Sequence, residues 1–269
     1  MPRGDRRGRL SYIVWNGMNI HIIEGAPGCA FAREQGAVAV IVDALRASAT
    51  AAALLEAGAP EILAVREVEE AFAARADWPD ALLYGERGGL PPEGFDFGNS
   101  PAEAAHASGR RVVFTTTTGA GRLVEAWGAA AVLMGAPTNA SAAVRTALDR
   151  AAPAGSDVVV VPAGLMDDSG FDAQEDRVAA VVLVHRMLEE SHARNLDVHV
   201  GEGRDIYNRW LPRIGAEGIE ALFQSAPHAQ KLRRIHKESD IPLCARIDTV
   251  TAVPAGRSRH PLGVVLNRA

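Results

Sequence analysis

Apolar and polar positions follow one another in blocks along this chain. The clearest block is 37–42, an apolar run rich in β-branched residues that ends at Asp43. A run of this length and composition predicts a strand buried on both faces. Arg46 follows three residues later. The alanine- and leucine-rich stretch beyond it favours a helix that ends at Gly58, a natural C-cap. The block therefore predicts a strand, a polar turn and a helix.

The same order recurs through most of the chain and predicts an α/β fold. The layout around 111–127 is similar to that around 37–58, so an internal duplication stays open. Two similar lobes, 18–128 and 129–269, are then the alternative to one domain over 18–269. Predicted strands lie at 19–23, 37–42, 62–65, 81–84, 111–114, 130–134, 157–161 and 250–253, and predicted helices at 67–76, 122–127, 141–152 and from 174 onward.

Composition narrows the classes of protein. The net charge of −5 argues against nucleic-acid binding, because no basic face is available to neutralise phosphates. Two cysteines, Cys29 and Cys244, make no disulfide framework or zinc motif. No apolar segment is long enough to span a membrane, and residues 1–17 lack the apolar core of a signal peptide, so we expect a disordered tail there. A reducing cytoplasm is the expected compartment.

Polar residues follow three of the predicted strands in the first half of the chain. They are Asp43 with Arg46, Glu86 with Arg87, and the run Thr115-Thr116-Thr117-Thr118-Gly119. Ligands of open α/β sheets bind beyond the carboxyl ends of strands, where helix N-termini also point. Threonine is also common in strands, so the alternative interpretation is that the threonine run is simply part of a strand. Carboxylates, arginines and hydroxyls on one rim suit Mg²⁺ together with a phosphorylated anion.

Two helix starts add polar groups. Asn99 and Ser100 precede a proline at a helix start, which predicts a cap and a second anion site. Glu175 and Asp176 lie in the first turn of the long helix that begins near 174. Compensation of the helix dipole and ligation of a metal are equally open for these two acids.

Four stretches, 43–50, 85–89, 94–101 and 115–119, resemble the 2-phosphosulfolactate phosphatase family, known as ComB. The later stretches 175–176, 225–228, 244–248 and 253–254 are similar to its C-terminal landmarks, and the segment 86–101 is the most specific part. The resemblance implies a Mg²⁺-dependent phosphatase that converts 2-phosphosulfolactate to 3-sulfolactate on the route to coenzyme M. It also implies a three-layer α/β/α fold with mixed sheets and a site between two lobes.

The resemblance assigns roles to the candidate residues. It leaves open whether Asp43 is a nucleophile, a metal ligand or both. The predicted catalytic residues are Asp43, Arg46, Glu86 and Arg87; the predicted metal ligands are Asp43, Glu86, Glu175 and Asp176; the predicted substrate-binding residues are Ser48, Asn99, Ser100, Thr115, Thr116, Thr117, Thr118, Gly119 and His228.

Two other functions stay open at this stage. One is a phosphatase for another small phosphorylated acid, and the other is a binding protein for phosphate or sulfonate without turnover. The expected partner is a small phosphorylated anion, with no nucleic acid and no membrane. A homodimer is left open beside a monomer.

Overall fold

The computed structural model describes residues 17–166, 168 and 170–269. The predicted disordered tail falls almost entirely on residues 1–16, which lie outside the described residues. The strands are β1 (Met18–Ile22), β2 (Val38–Val42), β3 (Ile62–Val65), β4 (Leu82–Gly85), β5 (Val112–Thr115), β6 (Ala131–Met134), β7 (Val158–Pro162), β8 (Val198–Val200), β9 (Pro254–His260) and β10 (Gly263–Arg268). The α-helices are α1 (Gly25–Glu34), α2 (Ala47–Glu56), α3 (Val68–Ala73), α4 (Gly119–Ala126), α5 (Ala140–Ala151), α6 (Gln174–Ala193), α7 (Arg204–Glu217), α8 (Ile219–Ser225), α9 (Pro227–Arg234) and α10 (Asp240–Ala245).

All ten strands belong to one mixed sheet, in the order β4-β5-β3-β10-β9-β6-β2-β7-β1-β8. One end is a parallel group of three strands, β4-β5-β3, and the other is a parallel group of five, β6-β2-β7-β1-β8. The hairpin β9–β10 pairs antiparallel with both groups. Three antiparallel steps separate β3 from β6, so the two parallel groups run in opposite directions.

Helices cover both faces of the sheet, which confirms the predicted three-layer α/β/α class. Alternate side chains of β2 point to opposite faces, as the period of a strand requires. Val38, Val40 and Val42 pack with helices α5, α6 and α8 on one face. Ala39 and Ile41 pack with helices α1, α2 and α4 on the other. The prediction that 37–42 is a strand buried on both faces is therefore confirmed.

Two features of the fold differ from the sequence expectations. The predicted last strand at 250–253 is wrong: Val250 and Thr251 lie in a loop, and the chain forms the hairpin β9–β10 after it. The middle of β9, residues 257–259, is exposed and polar, so its pattern does not predict a strand. The strand groups also do not divide at residue 128, because β1 and β2 lie in the group of β6–β8.

Among the described residues, no helix has the length and apolar character needed to cross a membrane. The predicted central helix is confirmed as α6, whose middle is buried against the five-stranded group.

Candidate active site

Side chains from several separate segments line one cleft of about 560 Å³, a volume that includes space open to solvent. The segments after β2, β4 and β5 all reach it, although β2 runs opposite to the other two strands. The start of α6 and the helix α9 contribute from the C-terminal half. The predicted site residues that line this cleft are Asp43, Arg46, Glu86, Asn99, Thr117, Thr118, Asp176 and His228.

Asp43 is fixed by the turn between β2 and α2. Its backbone N–H donates to Ser48 Oγ (3.0 Å), and its Oδ1 accepts from the Ala47 N–H (3.2 Å). Ser48 Oγ in turn donates to the Ile41 carbonyl (3.2 Å). These bonds hold the Asp43 carboxylate at the end of a buried strand with Oδ2 left free of the turn. Ser48 therefore shapes the turn and is directed away from the cleft.

Gly119, the first residue of α4, lies directly against Asp43. A Cβ at position 119 would lie 2.7 Å from Asp43 Oδ2 and 2.7 Å from Ala47 Cβ. Real Cβ atoms do not approach that closely, so only glycine allows α4 to begin here. The partial positive charge of the helix N-terminus is thereby placed beside the Asp43 carboxylate.

Asp176 lies close to Asp43 and shares its environment. Asp176 Oδ1 accepts from the Ala44 N–H (2.7 Å), and Oδ2 accepts from the Gly164 N–H (3.1 Å). Burial, and then the negative charges of Glu175 and Asp43, raise the pKa of the Asp176 carboxyl well above its usual range. Burial likewise raises the pKa of the Asp43 carboxyl to about 6, assisted by nearby carboxylates and opposed by His228 and the Ala47 N–H. Burial and the neighbouring carboxylates thus disfavour the ionised forms of both carboxyls.

Glu86 joins two of the predicted loops. Its Oε2 accepts from the Gly89 N–H (2.7 Å), and its Oε1 accepts from the Thr117 N–H (2.7 Å). The bonds tie the segment after β4 to the turn after β5. Thr117 Oγ1 is buried without a partner among the described residues, and it lines the cleft. Such a hydroxyl is available to a ligand.

His228 and Glu175 form a pair at the edge of the cleft. His228 Nδ1 lies 3.1 Å from Glu175 Oε1, and the Glu175 side chain is 2% exposed. Burial alone lowers the pKa of His228, but the hydrogen bond and charge of Glu175, together with Asp43, outweigh it and leave that pKa raised. Glu175 Oε2 is buried without a partner among the described residues.

Arg46 is held in a buried network. It donates to Asp240 Oδ2 (2.6 Å) and to the Gly89 carbonyl (2.8 Å), while Ser100 Oγ donates to Asp240 Oδ1 (2.7 Å). Ser100 also caps the short 3₁₀ helix Pro101–Ala107, as predicted, by accepting from the Ala102 N–H (3.3 Å). Its hydroxyl is therefore occupied within the protein.

Three predicted residues are directed elsewhere. Arg87 donates to the carbonyls of Glu86 (2.7 Å) and Arg66 (2.5 Å) and to Thr115 Oγ1 (3.0 Å). Thr115 Oγ1 itself donates to the Arg66 carbonyl (2.9 Å). Thr116 Oγ1 accepts from the Ala120 N–H (3.0 Å) and so caps α4. None of the three lines the cleft.

The sequence reasoning missed several residues of the site. Lys231 lies on α9, a helix whose polar composition is typical of a surface helix, and no local motif indicates that this residue lines a cleft. Asp240 begins the mostly apolar helix α10, and no local motif indicates that it pairs with Arg46. The apolar wall formed by Leu45, Leu165 and Phe171 was missed for the same reason.

The carboxylates fit a magnesium site of the usual kind. Among the described residues no group of three His, Cys, Asp or Glu side chains is arranged to hold a metal ion alone. Mg²⁺, however, commonly binds through one or two carboxylates, with water and substrate phosphate completing its shell. Asp43 and Asp176, whose charges destabilise each other, fit that smaller requirement. Asp43 Oδ2 makes no hydrogen bond within the described part of the chain.

Comparison with known proteins identifies the family of this chain. A sequence model of the 2-phosphosulpholactate phosphatase family matches residues 27–259. The chain is 40% identical, over 81% of its length and 86% of the relative's, to a probable 2-phosphosulfolactate phosphatase of Deinococcus radiodurans. Proteins of the same name from Thermus thermophilus (36% identical, 86% of this chain and 93% of the relative) and a Synechococcus species (35%, 81% and 88%) are also similar. The chain belongs to the 2-phosphosulpholactate phosphatase family, a family of phosphoric monoester hydrolases.

Proposed function

We propose that this protein is a Mg²⁺-dependent phosphatase that hydrolyses 2-phosphosulfolactate to 3-sulfolactate and phosphate. The observation that carries the proposal is the meeting of Asp43, Glu86 and Asp176 in one cleft with the N-terminus of α4. Unbalanced carboxylates beside a helix N-terminus suit a metal ion and a phosphate together. The names of the relatives supply the substrate. In this proposal the reaction takes place in the cytoplasm, as a step of coenzyme M biosynthesis.

The residues of the chain divide the work by their positions. Asp43 and Asp176 would hold Mg²⁺, which supplies charge neutralisation of the phosphoryl group. Asp43 Oδ2 is the carboxylate oxygen that faces the start of α4, where N–H groups orient an anion. His228 presents its Nε2 to the cleft while Glu175 fixes the ring through Nδ1. Thr117 Oγ1 and the Asn99 amide offer further polar contacts to the substrate.

The wall of Leu45, Leu165 and Phe171 removes water from one side of the cleft. Electrostatic interactions are stronger where water is excluded, so the fixed charges act more strongly on the bound phosphate. The hydrogen bonds from the Gly89 and Thr117 N–H groups to Glu86 hold the two loops in a fixed position relative to each other. Positioning and charge account for most of the catalysis in phosphoryl transfer, and both are properties of this cleft.

The test is phosphate release from 2-phosphosulfolactate, measured with Mg²⁺ and with excess chelator. A panel of 2-phospholactate, phosphoglycerate and an aryl phosphate measures the preference among small phosphorylated acids. We expect chelator to abolish turnover and 2-phosphosulfolactate to give the highest kcat/KM. Binding of the compounds without release of phosphate would overturn the proposal in favour of a binding protein.

The catalytic assignment has its own variant. Asp43→Asn is isosteric and is expected to lower kcat by at least a thousandfold while unfolding stays cooperative. Turnover within a few-fold of the wild type would show that Asp43 neither attacks phosphorus nor holds the metal.

A further inference from the structure

Three basic side chains line the described part of the cleft: Arg46, His228 and Lys231. Arg46 is engaged by Asp240 and by the Gly89 carbonyl. His228 is engaged by Glu175. The Lys231 ammonium makes no ion pair with any residue of the described chain. Lys231 is thus the cation in this cleft that is left for a ligand.

Helix α9 fixes the direction of Lys231. Ala229 and Leu232 are fully buried in the core and anchor one face of this helix. His228 and Lys231 are three positions apart, so they lie on a common face. Both line the cleft, so the two basic side chains belong to the same part of its wall.

A second group in the cleft awaits a partner. The Asn99 side chain is 97% buried, and its Oδ1 has no hydrogen-bond partner among the described residues. Buried amide groups are nearly always satisfied, so an unpaired one that lines a cleft indicates a ligand contact. The unpaired oxygen can only accept a hydrogen bond, so it suits a donor group of the ligand, whereas the nitrogen of the same amide is the atom that can donate to an anion.

Charge determines what Lys231 is for. The lining carboxylates Asp43, Glu86 and Asp176 oppose the entry of any anion. 2-Phosphosulfolactate carries a carboxylate and a sulfonate besides its phosphate, and each needs a favourable contact. Arg87, which the sequence placed among the catalytic residues, is not available for these groups, because it donates to backbone carbonyls and a threonine hydroxyl.

We propose that Lys231 binds the anionic group that accompanies the phosphate of the substrate, the sulfonate or the carboxylate, and so determines specificity. This inference rests on the proposed function. It makes Lys231 a binding residue for the part of the substrate that does not react.

The experiment compares Lys231→Gln and Lys231→Arg on three substrates in saturating Mg²⁺. 2-Phosphosulfolactate has both extra anions, 2-phospholactate lacks the sulfonate, and 4-nitrophenyl phosphate lacks both. We expect Lys231→Gln to lower kcat/KM on 2-phosphosulfolactate about 10- to 100-fold more than on 4-nitrophenyl phosphate, mainly through KM. Lys231→Arg should restore most of the loss, because it restores the charge.

2-Phospholactate identifies the anion. If Lys231 binds the carboxylate, this substrate suffers the same selective loss as 2-phosphosulfolactate. If Lys231 binds the sulfonate, the loss of kcat/KM on 2-phospholactate matches the loss on 4-nitrophenyl phosphate. A difference of less than tenfold between 2-phosphosulfolactate and 4-nitrophenyl phosphate overturns the inference.

The chain supplies a matched control, because it contains only one other lysine, Lys237. Lys237 lies 3.8 Å from Glu103 and does not line the cleft. Lys237→Gln should leave kcat/KM on all three substrates within a factor of two.

A binding measurement separates this inference from the proposed function. Calorimetric titration with 3-sulfolactate requires no turnover, and Lys231→Gln should weaken its binding at least tenfold. If the wild type does not hydrolyse 2-phosphosulfolactate, the proposed function fails, yet the titration still tests Lys231. Equal binding of 3-sulfolactate to both proteins, or binding to neither, overturns the inference.

Discussion

Arg46 and Asp240 form a 2.6 Å ion pair across 194 residues of chain, and each side chain is 2% exposed. Arg46 follows β2, while Asp240 begins α10. The pair therefore joins the first polar turn of the chain to a helix near its C-terminus. It also fixes how the guanidinium of Arg46 enters the cleft, because a second donor group binds the Gly89 carbonyl.

Removal of Asp240 should reveal the cost of leaving Arg46 unpaired. Asp240→Asn keeps a partner for Ser100 but leaves a buried charge, so we expect a loss of about 3–5 kcal/mol in the free energy of unfolding. Urea denaturation measures it. The double variant Arg46→Met/Asp240→Leu should recover most of that stability, since apolar replacement of a buried pair is often neutral.

The control for this comparison is an exposed pair. Arg213 and Glu217 are 2.7 Å apart on the surface of α7. Glu217→Gln should leave the free energy of unfolding close to that of the wild type, because solvent screens an exposed pair. Equal effects of Asp240→Asn and Glu217→Gln would mean that the buried ion pair contributes no more to stability than an exposed one.

Arg87 should affect stability more than substrate binding. Its guanidinium satisfies the carbonyls of Arg66 and Glu86 and the hydroxyl of Thr115. Arg87→Gln leaves acceptors unpaired, which should cost about 1–3 kcal/mol in urea denaturation, with KM for 4-nitrophenyl phosphate within about threefold of the wild type. Arg110→Gln, which removes similar bonds to the Asp80 carbonyl at an exposed site, is the control. A tenfold rise in KM at unchanged stability would return Arg87 to the substrate site.

The two cysteines should be inert in the native protein. Cys29 and Cys244 are both fully buried. Burial raises the pKa of the Cys29 thiol to about 12 and also raises that of Cys244, so neither forms the reactive thiolate near neutral pH. Treatment of the folded protein with iodoacetamide should leave kcat unchanged, with both thiols found unmodified by mass spectrometry. Rapid inactivation that substrate prevents would contradict this expectation.

The sequence predicted the elements whose signal is local. The strand 37–42, its terminal Asp43 and the helix after it follow from an apolar run with an abrupt polar end. The cap at Ser100 follows from the proline after it. These features depend on neighbouring residues alone, and the structure confirms this strand, this helix and the cap.

Contacts between distant segments escaped that reasoning. The sequence placed three polar strand ends on one rim and predicted mixed sheets, but it did not show that β2 runs opposite to β4 and β5. The hairpin β9–β10 lies between the two parallel groups, and residues 257–259 of its first strand are exposed and polar, which is not the pattern of a buried strand. Lys231 lies on the polar helix α9, where no local pattern separates a cleft face from a solvent face. Asp240 lies at the start of the apolar helix α10, and its partner Arg46 is 194 residues away in the chain. Arg87 lies beside Glu86 in sequence, yet its side chain turns to the Arg66 carbonyl.

The raised pKa of Asp43 makes the stability of the metal-free protein depend on pH in a particular direction. The pKa of an unperturbed aspartate is 3.8, and the pKa of Asp43 in the folded protein is about 6. Between these values the folded state binds the proton more tightly than the unfolded chain, so folding stability falls as pH rises. Asp43→Asn cannot ionise and should lack this contribution.

We therefore expect the Tm of Asp43→Asn, relative to the Tm of the wild type, to increase from pH 4 to pH 7. Both proteins are measured in chelator. Comparison with the variant cancels carboxylates that act in the opposite direction, such as Asp248, whose pKa is lowered, despite desolvation, by bonds from Ser141 and Arg186. Mg²⁺ should stabilise the wild type more at pH 7 than at pH 5, because a ligand carboxyl must lose its proton. Parallel curves for Asp43→Asn and the wild type would show that folding does not raise the pKa of the Asp43 carboxyl.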